Sequence, residues 1–576
     1  MNYELFQPMN KRKSPIQNIF RNRDMKDDIQ SIKEYLTPTE NVILSLDTID
    51  NLSDGAALFM KHVSANSNAL LVVDEDCDGY TSSALFYNYF NRLFPAYVQN
   101  HIRYVVHPGK AHGIPLEEVT DDIKLVIAPD SSSNEFSIHE ELKERGVDVL
   151  VIDHHLAPEA SKYACVINNQ LCNYENKTLS GVGMVWKFCS YFDKLMNLNL
   201  ANEFLDLAAL GIIADVMDLR QLETRWIIVN GMDNINNPFI KAMVNKESYF
   251  IKDELNPHKV AFYLVPGINA VTRVGSIEEK MVLFESMLET KAYEQIPSTK
   301  RGEKGKLETR VEQSCRNCTN LRNKQNRSRD TIIQEIEELM AEKNLLDNKI
   351  LVVKVRNPVN VGITGLVANI IANRYQRPTL ILNRREYIKG EVTWEGSGRN
   401  YNYSPIDNLK EFLYNTGLVM YAEGHGSAFG VGIKDENFDN FIKTTNKLLE
   451  NTDFSYKYLV DLEYDINDIN SKMIEDIASY KNIWGEGIKE PLILIKNVPV
   501  VKENLFLFKE KVLKIENQNS DISFVNLRSN SEQYNELYSE MGIVTINIIG
   551  TCSINDYDYK GQIEITDYEI VRKADY

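Results

Sequence analysis

The chain has 576 residues, of which 43% are hydrophobic and 25% are charged. These fractions are those of a soluble globular protein, and the length predicts several domains because single cores rarely exceed about 250–300 residues. The net charge of −18 excludes a protein coated with basic surface for duplex DNA, but it allows nucleic acid in a local basic groove.

The sequence shows no membrane-spanning or secretory pattern. No apolar run approaches the roughly 20 residues that a membrane-spanning helix needs. The start, MNYELFQPMNKRKSPIQNIF, lacks an apolar core followed by a cleavage site of small residues. Seven cysteines, an odd number in a long chain, do not indicate a disulfide framework. We therefore predict a cytoplasmic protein.

Three similar units follow an N-terminal extension, and in each of them a short apolar strand ends in polar residues. NALLVVDEDCDG ends in Asp74, Glu75, Asp76 and Asp78, IKLVIAPDSSSNE ends at Asp130, and VDVLVIDHHLAPE ends at Asp153, His154 and His155. Such strands, alternating with helical stretches, predict a parallel, doubly wound sheet. Ligands of these sheets lie outside the carboxyl ends of the strands, where all three clusters are expected.

The remainder of the chain divides into a helical region, a second α/β unit and a β-rich end. ANEFLDLAALGIIADVMDL is helical and carries Asp215, and residues 290–330 are basic, which predicts a solvated linker or a long exposed helix. The predicted domains are an N-terminal extension (1–50), an α/β domain (51–240), a connecting helical and basic region (241–345), a second α/β domain (346–452) and a small β-barrel (453–576).

The acidic run after the first strand requires something that cancels its charge. If the run is extended, Asp74, Asp76 and Asp78 lie on one side and Glu75 on the other, because side chains alternate along a strand. Carboxylates suit Mg²⁺ or Ca²⁺, whereas added histidines favour Mn²⁺, Fe²⁺ or Zn²⁺. We predict that two divalent cations neutralise the cluster, clamp a phosphate and generate a hydroxide nucleophile.

A calcium loop is the alternative for the DxDxDG pattern. An EF-hand loop needs a glutamate at its twelfth position and a helix before it. Here the twelfth residue is Leu85 and a predicted strand precedes the run, so the pattern does not fit.

The order of the motifs resembles the DHH phosphoesterase superfamily with its DHHA1 domain, and within it the RecJ single-strand-specific exonucleases. The motifs are DEDCDG, APDSSSNE, VIDHH, ALGIIADVMDL and EGHGSAFG, together with PGINAVTRVG and WGEGIKEPLIL, and they span about residues 50 to 576. The resemblance implies a parallel-sheet DHH domain, a connecting helix, an α/β DHHA1 domain and an OB-type β-barrel. It also implies that the substrate threads between the two α/β domains.

The resemblance also implies a role for individual residues. Asp76, Asp78, Asp130, His154 and Asp215 match metal ligands, with Asp130 at the position that bridges both metals. Asp74 and Asp153 match supporting carboxylates, and His155 and Arg273 match groups that stabilise charge on the phosphoryl oxygens. Asn269 and Arg273 match substrate-phosphate contacts, and Ser397, Gly398, Arg399, Gly424, His425 and Gly426 match the patch that grips the terminal nucleotide.

The activity implied is hydrolysis of single-stranded DNA from its 5′ end to mononucleotides, in DNA repair, recombination or replication. The expected cofactors are two divalent metal ions, Mn²⁺ first and Mg²⁺ second. The expected partners are single-stranded DNA and a single-strand-binding protein or helicase, for a monomer that does not bind membranes.

Other functions of the same core stay open. The chain is alternatively a DHH phosphodiesterase for oligoribonucleotides, cyclic dinucleotides or a 3′-phosphorylated nucleotide, or an inactive nucleic-acid-binding accessory protein, or an inorganic pyrophosphatase. The β-rich end argues against short substrates, which need no extra platform, and against pyrophosphatases, whose chains lack it. The full set of matched ligands argues against an inactive protein.

Three positions depart from the family pattern. Glu423 stands where glycine is usual, Phe429 stands where alanine is usual, and His107, in HPGKAHGI, stands where arginine is common. These departures concern recognition of the strand end rather than metal chemistry.

Lysines alternate with aromatic residues in residues 481–524, including Trp484, Phe506, Phe508 and Phe524. Either the aromatic rings fill the barrel core, or some of them stack bases at about 1–3 kcal/mol each. We predict the second for part of the set, and we expect a chain that ends near Asp453 to cleave short oligonucleotides but to hold long strands weakly.

Overall fold

A five-stranded parallel sheet lies in the N-terminal half of the chain. The computed structural model describes residues 1–108, 112–252, 254–303, 305–359, 361–387, 390–401, 404–455, 457–517, 519–540 and 542–574. In spatial order the strands are Ile102–Val106, Asn68–Val73, Ile123–Pro129, Asp148–Asp153 and Cys165–Asn168. The Asp130 backbone N–H donates to the Ile152 carbonyl at 2.8 Å, so neighbouring strands end side by side.

Helices cover this sheet because its strands are apolar on both faces. They are Leu52–Ala65, Cys77–Leu93, Pro95–His101, Phe136–Glu144, Gly181–Met196, Leu205–Ala214 and Leu222–Asp233. The helices contain a cluster of aromatic rings, in which the ring centroid of Phe90 lies 4.3 Å from that of Phe59 and 4.9 Å from that of Phe192. The parallel α/β sheet predicted from the sequence is confirmed.

His139, on the helix Phe136–Glu144, is fully buried, and neither ring nitrogen has a hydrogen-bond partner in the described part of the chain. Burial lowers the pKa of His139 to about 4, below the unfolded value of about 6.5. The unfolded chain therefore binds more protons between these pH values, and stability is lost as the pH falls through them.

We expect His139→Leu to leave the stability at pH 7 unchanged or to raise it by about 1–3 kcal/mol, because it removes two unpaired polar atoms. The substitution should also flatten the loss of stability between about pH 6.5 and 4. Chemical denaturation at several pH values measures both effects. A variant that loses stability with falling pH as steeply as the wild type would contradict this account.

A helical region follows the first sheet. It contains the helices Pro238–Lys246, Ser248–Ile251, Pro257–Lys259, Val265–Val274 and Ile277–Ser286, a π-helical turn at Val260–Leu264, and the short strands Gln295–Pro297 and Leu307–Thr309. The long helix Arg310–Glu342 comes next, but Val311, Cys315 and Cys318 in its first turns are buried. This part of the predicted linker is therefore not solvated.

Two units emerge from the packing of the described residues. The first consists of residues 3–319 and 459–576, and the second of residues 320–458. The second unit contains the helices Val361–Tyr375, Leu409–Tyr414 and Phe438–Leu448. Its sheet has the spatial order Tyr421–His425, Ala428–Lys434, Val392–Arg399, Thr379–Glu386 and Leu351–Lys354, with the last two strands parallel and the other pairs antiparallel.

The C-terminal residues form a seven-stranded sheet of mixed direction, consistent with the OB-type fold predicted from the sequence. Its spatial order is Leu462–Asp465, Ile493–Val500, Ile543–Ile554, Gly561–Ala574, Ile522–Asn526, Val512–Asn517 and Leu505–Phe508, and the strand Tyr458–Val460 and the helices Ser471–Ala478 and Ser531–Leu537 belong to the same region. No helix in the described ranges is long and apolar enough to span a membrane.

The N-terminal extension connects this sheet to the first α/β domain. It contains the strand Tyr3–Leu5 and the helices Pro15–Asn22 and Ile29–Leu36. Arg23 makes two bonds of 2.6 and 3.0 Å to the buried Asp461 carboxylate. The Tyr35 hydroxyl donates to the Leu219 carbonyl at 2.9 Å, and the Arg225 guanidinium lies over the Tyr35 ring.

Candidate metal centre

The polar clusters of the first sheet meet at its carboxyl edge. Asp74 to Asp78 follow the strand Asn68–Val73, Asp130 follows Ile123–Pro129, and His154 follows Asp148–Asp153. Asp215 reaches the same place from the end of the helix Leu205–Ala214, because its Oδ2 lies 3.4 Å from His154 Nε2. Asp130 Oδ1 lies 3.3 Å from the same nitrogen.

The acidic run is not extended throughout, in contrast to the expectation from the sequence. Asp76 is the N-cap of the helix Cys77–Leu93, and its Oδ1 accepts a hydrogen bond of 3.0 Å from the Gly79 N–H. This cap starts the helix four residues before the predicted Thr81, so Asp78 lies in the first helical turn. Asp74 and Asp76 therefore face one group of donors, and Asp78 faces another.

Three groups of donor atoms lie close enough to hold metal ions, with all atoms of each group within 4.8 Å of one another. The groups are Asp74, Asp76 and Asp130; Asp78, His154 and Asp215; and Asp130, Asp153, His154 and His155. Asp130 occurs in two of them and approaches His154, which fits a bridging position. Asp74, expected only to support the ligands, lies among the donors.

The charges of this cluster are unfavourable without a cation. Burial, reinforced by the charge of Asp76, raises the pKa of Asp78 to about 7. Burial and then Asp78 raise the pKa of Asp215 to about 8 and also raise that of Asp130. The buried atoms Asp78 Oδ2 and Asp130 Oδ1 accept no hydrogen bond from the described residues. Buried carboxylate oxygens that accept no hydrogen bond and lie beside an imidazole suit a divalent metal ion.

Asp153 lies beneath the two histidines and orients His155. Its Oδ1 accepts hydrogen bonds from the backbone N–H groups of His154, at 2.7 Å, and His155, at 3.2 Å, and lies 2.8 Å from His155 Nδ1. Its Oδ2 accepts a bond of 3.1 Å from the Ser133 N–H. Burial is the largest single influence and opposes a charge on either side chain, but their mutual hydrogen bond and the attraction of neighbouring opposite charges together outweigh it. The pKa of Asp153 is lowered, and that of His155 is raised to about 9.

Two glycines lie in close contact with carboxylates of the candidate site and leave no room for a side chain. A Cβ atom at Gly181 would lie 2.3 Å from Asp130 Oδ1, and one at Gly211 would lie 2.3 Å from Asp78 Oδ1. Both distances are far below van der Waals contact, so any side chain at these positions would displace a carboxylate.

We expect Gly181→Ala to weaken Mn²⁺ binding by about tenfold or more, in the range measured when support of a metal ligand is lost. Gly183→Ala, on the same helix, is the matched control because its Cβ would meet only Leu179, at 3.0 Å. Calorimetric titration of metal into both variants compares them. Equal Mn²⁺ affinities of the two variants would show that the close approach of Gly181 to Asp130 does not matter for metal binding.

His112 is a site residue that the sequence did not reveal. Its Nδ1 lies 2.9 Å from Asp74 Oδ2 and its Nε2 lies 3.6 Å from Glu75 Oε1. It follows the first-domain strand Ile102–Val106 by several residues, and residues 109–111 of HPGKAHGI lie outside the described ranges.

His107, one of the positions that depart from the family pattern, is buried. Its backbone carbonyl accepts a hydrogen bond of 3.0 Å from Lys280 Nζ.

Asn269 and Arg273 are four residues apart on the helix Val265–Val274 and therefore share a face. Arg273 is exposed, and its positive charge opposes the rise that burial causes in the pKa of Asp76. Asn269 Oδ1 is buried and accepts no hydrogen bond from the described residues. The two side chains remain predicted phosphate contacts.

The patch predicted to grip the strand end is assembled in the second unit. The strand Ala428–Lys434 separates its two motifs, with Arg399 and His425 both opposite Ala428. Gly424, with φ at +123°, precedes the turn, and its carbonyl accepts a bond of 2.7 Å from Lys410 Nζ.

Two departures from the family pattern have separate places around this patch. Phe429 points into the hydrophobic core, where its ring lies 2.6 Å from the position that a Cβ at Gly398 would take. Because side chains alternate, Phe429 lies on the opposite face from His425. Glu423 lies two residues before His425 on the strand and therefore on its face, exposed like His425. Glu423 therefore places a negative charge beside the predicted patch, and Phe429 does not reach it.

Comparison with known proteins agrees with the fold. Residues 68–212 match the sequence model described as "DHH family, N-terminal domain". Over 99% of its length the chain is 35% identical to the putative SPbeta prophage-derived single-strand DNA-specific exonuclease YorK of Bacillus subtilis, and it covers 99% of that protein. The chain therefore belongs to the RecJ-like single-strand DNA-specific exonuclease family of the DHH superfamily.

More distant relatives share the fold. The single-stranded-DNA-specific exonuclease RecJ of Bacillus subtilis is 27% identical over 90% of the chain, which spans 63% of that protein. A crystal structure of RecJ from Thermus thermophilus in complex with Mn²⁺ superposes with a TM-score of 0.72 at 18% identity, over 98% of this chain and 77% of the other.

Proposed function

We propose that the protein is a metal-dependent exonuclease that hydrolyses single-stranded DNA from its 5′ end to mononucleotides. The observation that carries the proposal is the position of Asp130 at the sheet edge, where it shares a donor group with Asp74 and Asp76. Its Oδ1 also lies 3.3 Å from Nε2 of His154, which belongs to the donor group of Asp78 and Asp215. Membership of the RecJ-like family supports the substrate, since the relatives are named for single-stranded DNA.

The residues that would hold two divalent ions are Asp76, Asp78, Asp130, His154 and Asp215, together with Asp74. Mn²⁺ is the proposed ion, because the set mixes carboxylates with an imidazole, and Mg²⁺ is the alternative. When bound, the two ions would neutralise the phosphate and lower the pKa of a water molecule.

The other residues orient the strand and stabilise its charge. His155, protonated up to about pH 9, would donate a hydrogen bond to a phosphoryl oxygen. Arg273 and Asn269 would contact the phosphate from their helix. In the second unit, Arg399 and His425 would bind the terminal nucleotide, with Ser397 on the same face of the sheet and with Gly424 and Gly426 on either side of His425. Gly398 lies in a strand that is paired on both sides, so its backbone belongs to the sheet.

The decisive experiment compares labelled substrates under defined metal conditions. The purified full chain is incubated with Mn²⁺, with Ca²⁺ or with a chelator. The substrates are single-stranded DNA labelled at either end, the same sequence as a blunt duplex, RNA and dinucleotides. We expect 5′-labelled single strands to release labelled mononucleotide at once with Mn²⁺, and blunt duplex and chelated samples to stay intact.

Each alternative has its own result in this assay. Faster cleavage of dinucleotides or RNA than of long DNA would favour a phosphodiesterase for short substrates. Immediate release of 3′ label would reverse the proposed direction. Full activity in excess chelator would refute metal-dependent hydrolysis.

A further inference from the structure

A largely apolar cavity of about 270 Å³ opens next to the candidate metal centre, in the first unit. Its lining includes Val216, Met217, His258, Phe262, Trp484 and Lys489. Val216 directly follows Asp215, whose carboxylate belongs to a donor group. One lining residue is therefore the chain neighbour of a predicted metal ligand.

A pair of stacked rings forms one wall. The rings of His258 and Phe262 lie 4.7 Å apart at an angle of 22°, and Phe262 is 58% exposed. The π-helical turn Val260–Leu264 carries Phe262 and leads without a break into the helix of Asn269 and Arg273. π-Helical turns inside helices are frequently found at functional sites. One continuous stretch thus carries the ring pair and both predicted phosphate contacts.

Another residue of the cavity lining has a strained backbone. Val216 is β-branched, yet its φ is +57°, and its side chain is 62% exposed. Such a backbone conformation costs of order 1–3 kcal/mol for a non-glycine residue and is typical of functional sites. Burial of the side chain does not compensate this cost, so the strain points to a role at the cavity mouth.

We propose that this cavity holds an unpaired nucleobase of the substrate, stacked on the exposed face of the Phe262–His258 pair. The assignment rests on the proposed function and adds a base-binding site to it. Every nucleobase has a π face, so the contact does not depend on sequence. The cavity lining also contains Lys489, between Glu486 and Glu490 along the chain, so the charged groups of the lining do not favour a phosphate and the apolar rings carry the proposal.

The test combines loss of the ring with loss of the base. Single strands with one abasic position, moved step by step from the cleaved end, are compared with the intact strand for wild type, Phe262→Ala and Phe262→Leu. Tyr249→Ala is the matched control, because Tyr249 is 84% exposed and outside the cavity lining. Phe262→Leu retains apolar volume without a ring, which guards against a folding defect in the alanine variant.

At one position, the abasic site should raise the KM of the wild type by roughly 5- to 100-fold, as expected for one lost base stack. Phe262→Ala and Phe262→Leu should raise the KM of the intact strand similarly, with kcat within about threefold, and should no longer respond to the abasic site. Tyr249→Ala should behave as wild type. Unchanged KM in both Phe262 variants, or an undiminished abasic effect, would overturn the inference.

A binding measurement separates this inference from the proposed function. An Asp130→Asn background binds a strand that carries a fluorescent purine analogue at the same position, and stacking quenches its emission. The quenching should disappear with Phe262→Ala. If wild type cleaves no strand with any metal, the proposed function fails while this measurement still decides the stacking. Quenching that persists without the ring refutes the stacking even if strands are cleaved.

Discussion

Replacement of Asp130 by alanine is expected to lower the hydrolysis of single-stranded DNA by more than about a hundredfold. Loss of residues that only support a metal ligand costs about 10–100-fold in affinity or activity. Asp130 belongs to the donor group of Asp74 and Asp76 and lies 3.3 Å from His154 of the other proposed metal group, so no neighbouring carboxylate can replace it at both. The measurement is kcat on a labelled single strand at saturating Mn²⁺, which separates catalysis from metal affinity.

Asp122→Ala is the matched control for this substitution. Asp122 directly precedes the strand Ile123–Pro129, whereas Asp130 directly follows it. Asp122 is also exposed and pairs with Arg103 at 2.8 Å, so its loss should change kcat by less than about twofold. If Asp130→Ala keeps more than about a tenth of the wild-type rate, Asp130 does not bridge two ions.

The pH dependence of stability in the metal-free protein tests the role of Asp130 without measuring catalysis. The folded-state pKa values of Asp78 and Asp215, about 7 and about 8, lie above their unfolded values near 3.9. The folded chain then binds more protons, so stability falls as the pH rises from about 4 to 8. Burial and the charge of Asp78 also raise the pKa of Asp130, so Asp130→Asn removes one of the carboxyls that cause this loss and should reduce it. Mn²⁺ should abolish the loss in the wild type. Thermal melts across this pH range test both expectations.

The sequence predicted those parts of the candidate site that depend on local sequence pattern. Continuous apolar strands that end in polar residues define a parallel sheet, and such a sheet gathers its carboxyl ends at one edge. Asp130 and His154 are close in space for this reason. The start of the helix at Cys77 was missed because an N-cap aspartate and an extended aspartate have the same spacing, and only the Gly79 N–H decides between them.

Contacts between distant parts of the chain could not be predicted in this way. Arg23 and Asp461 form a buried pair across 438 residues, and nothing in either local sequence indicates it. Breaking such a pair typically costs about 3–5 kcal/mol. A chain that ends near Asp453 would leave Arg23 without this partner, so point substitutions test the C-terminal sheet better than truncation does.

The alternation of lysines and aromatic residues near the C-terminus had two interpretations, and the structure divides its members between them. Trp484 and Phe524 are buried, as core residues are. Phe506 and Phe508 are 37% and 51% exposed on one face of the strand Leu505–Phe508, with ring centres 6.3 Å apart. These two remain predicted to stack bases. Sequence alternation alone could not separate the pairs, because it does not show which face of a strand is buried: Leu505 is buried, whereas Phe506 and Phe508 of the same strand are exposed.

Asp153→Asn is expected to lower kcat by about 10–100-fold at neutral pH and to move the alkaline limb of the pH–rate profile from about 9 toward about 6.5. His155 acts as a donor to the phosphate in its protonated form, so activity is lost as the pH rises through the pKa of His155. The charge of Asp153 holds that pKa high against burial. An asparagine keeps the size and an acceptor oxygen, but it removes the charge, so the proton is lost at lower pH.

Two further measurements assign this shift to His155. His155→Gln cannot titrate, so its rate should be low at all pH values and should lack the alkaline limb. Calorimetry should find Mn²⁺ bound by both variants, since Asp153 acts chiefly through hydrogen bonds to residues 133, 154 and 155. If Asp153→Asn keeps a limb near pH 9, some other group limits the reaction at high pH. If it keeps the wild-type rate as well, then the buried carboxylate stabilises the fold without preparing His155 for the phosphate.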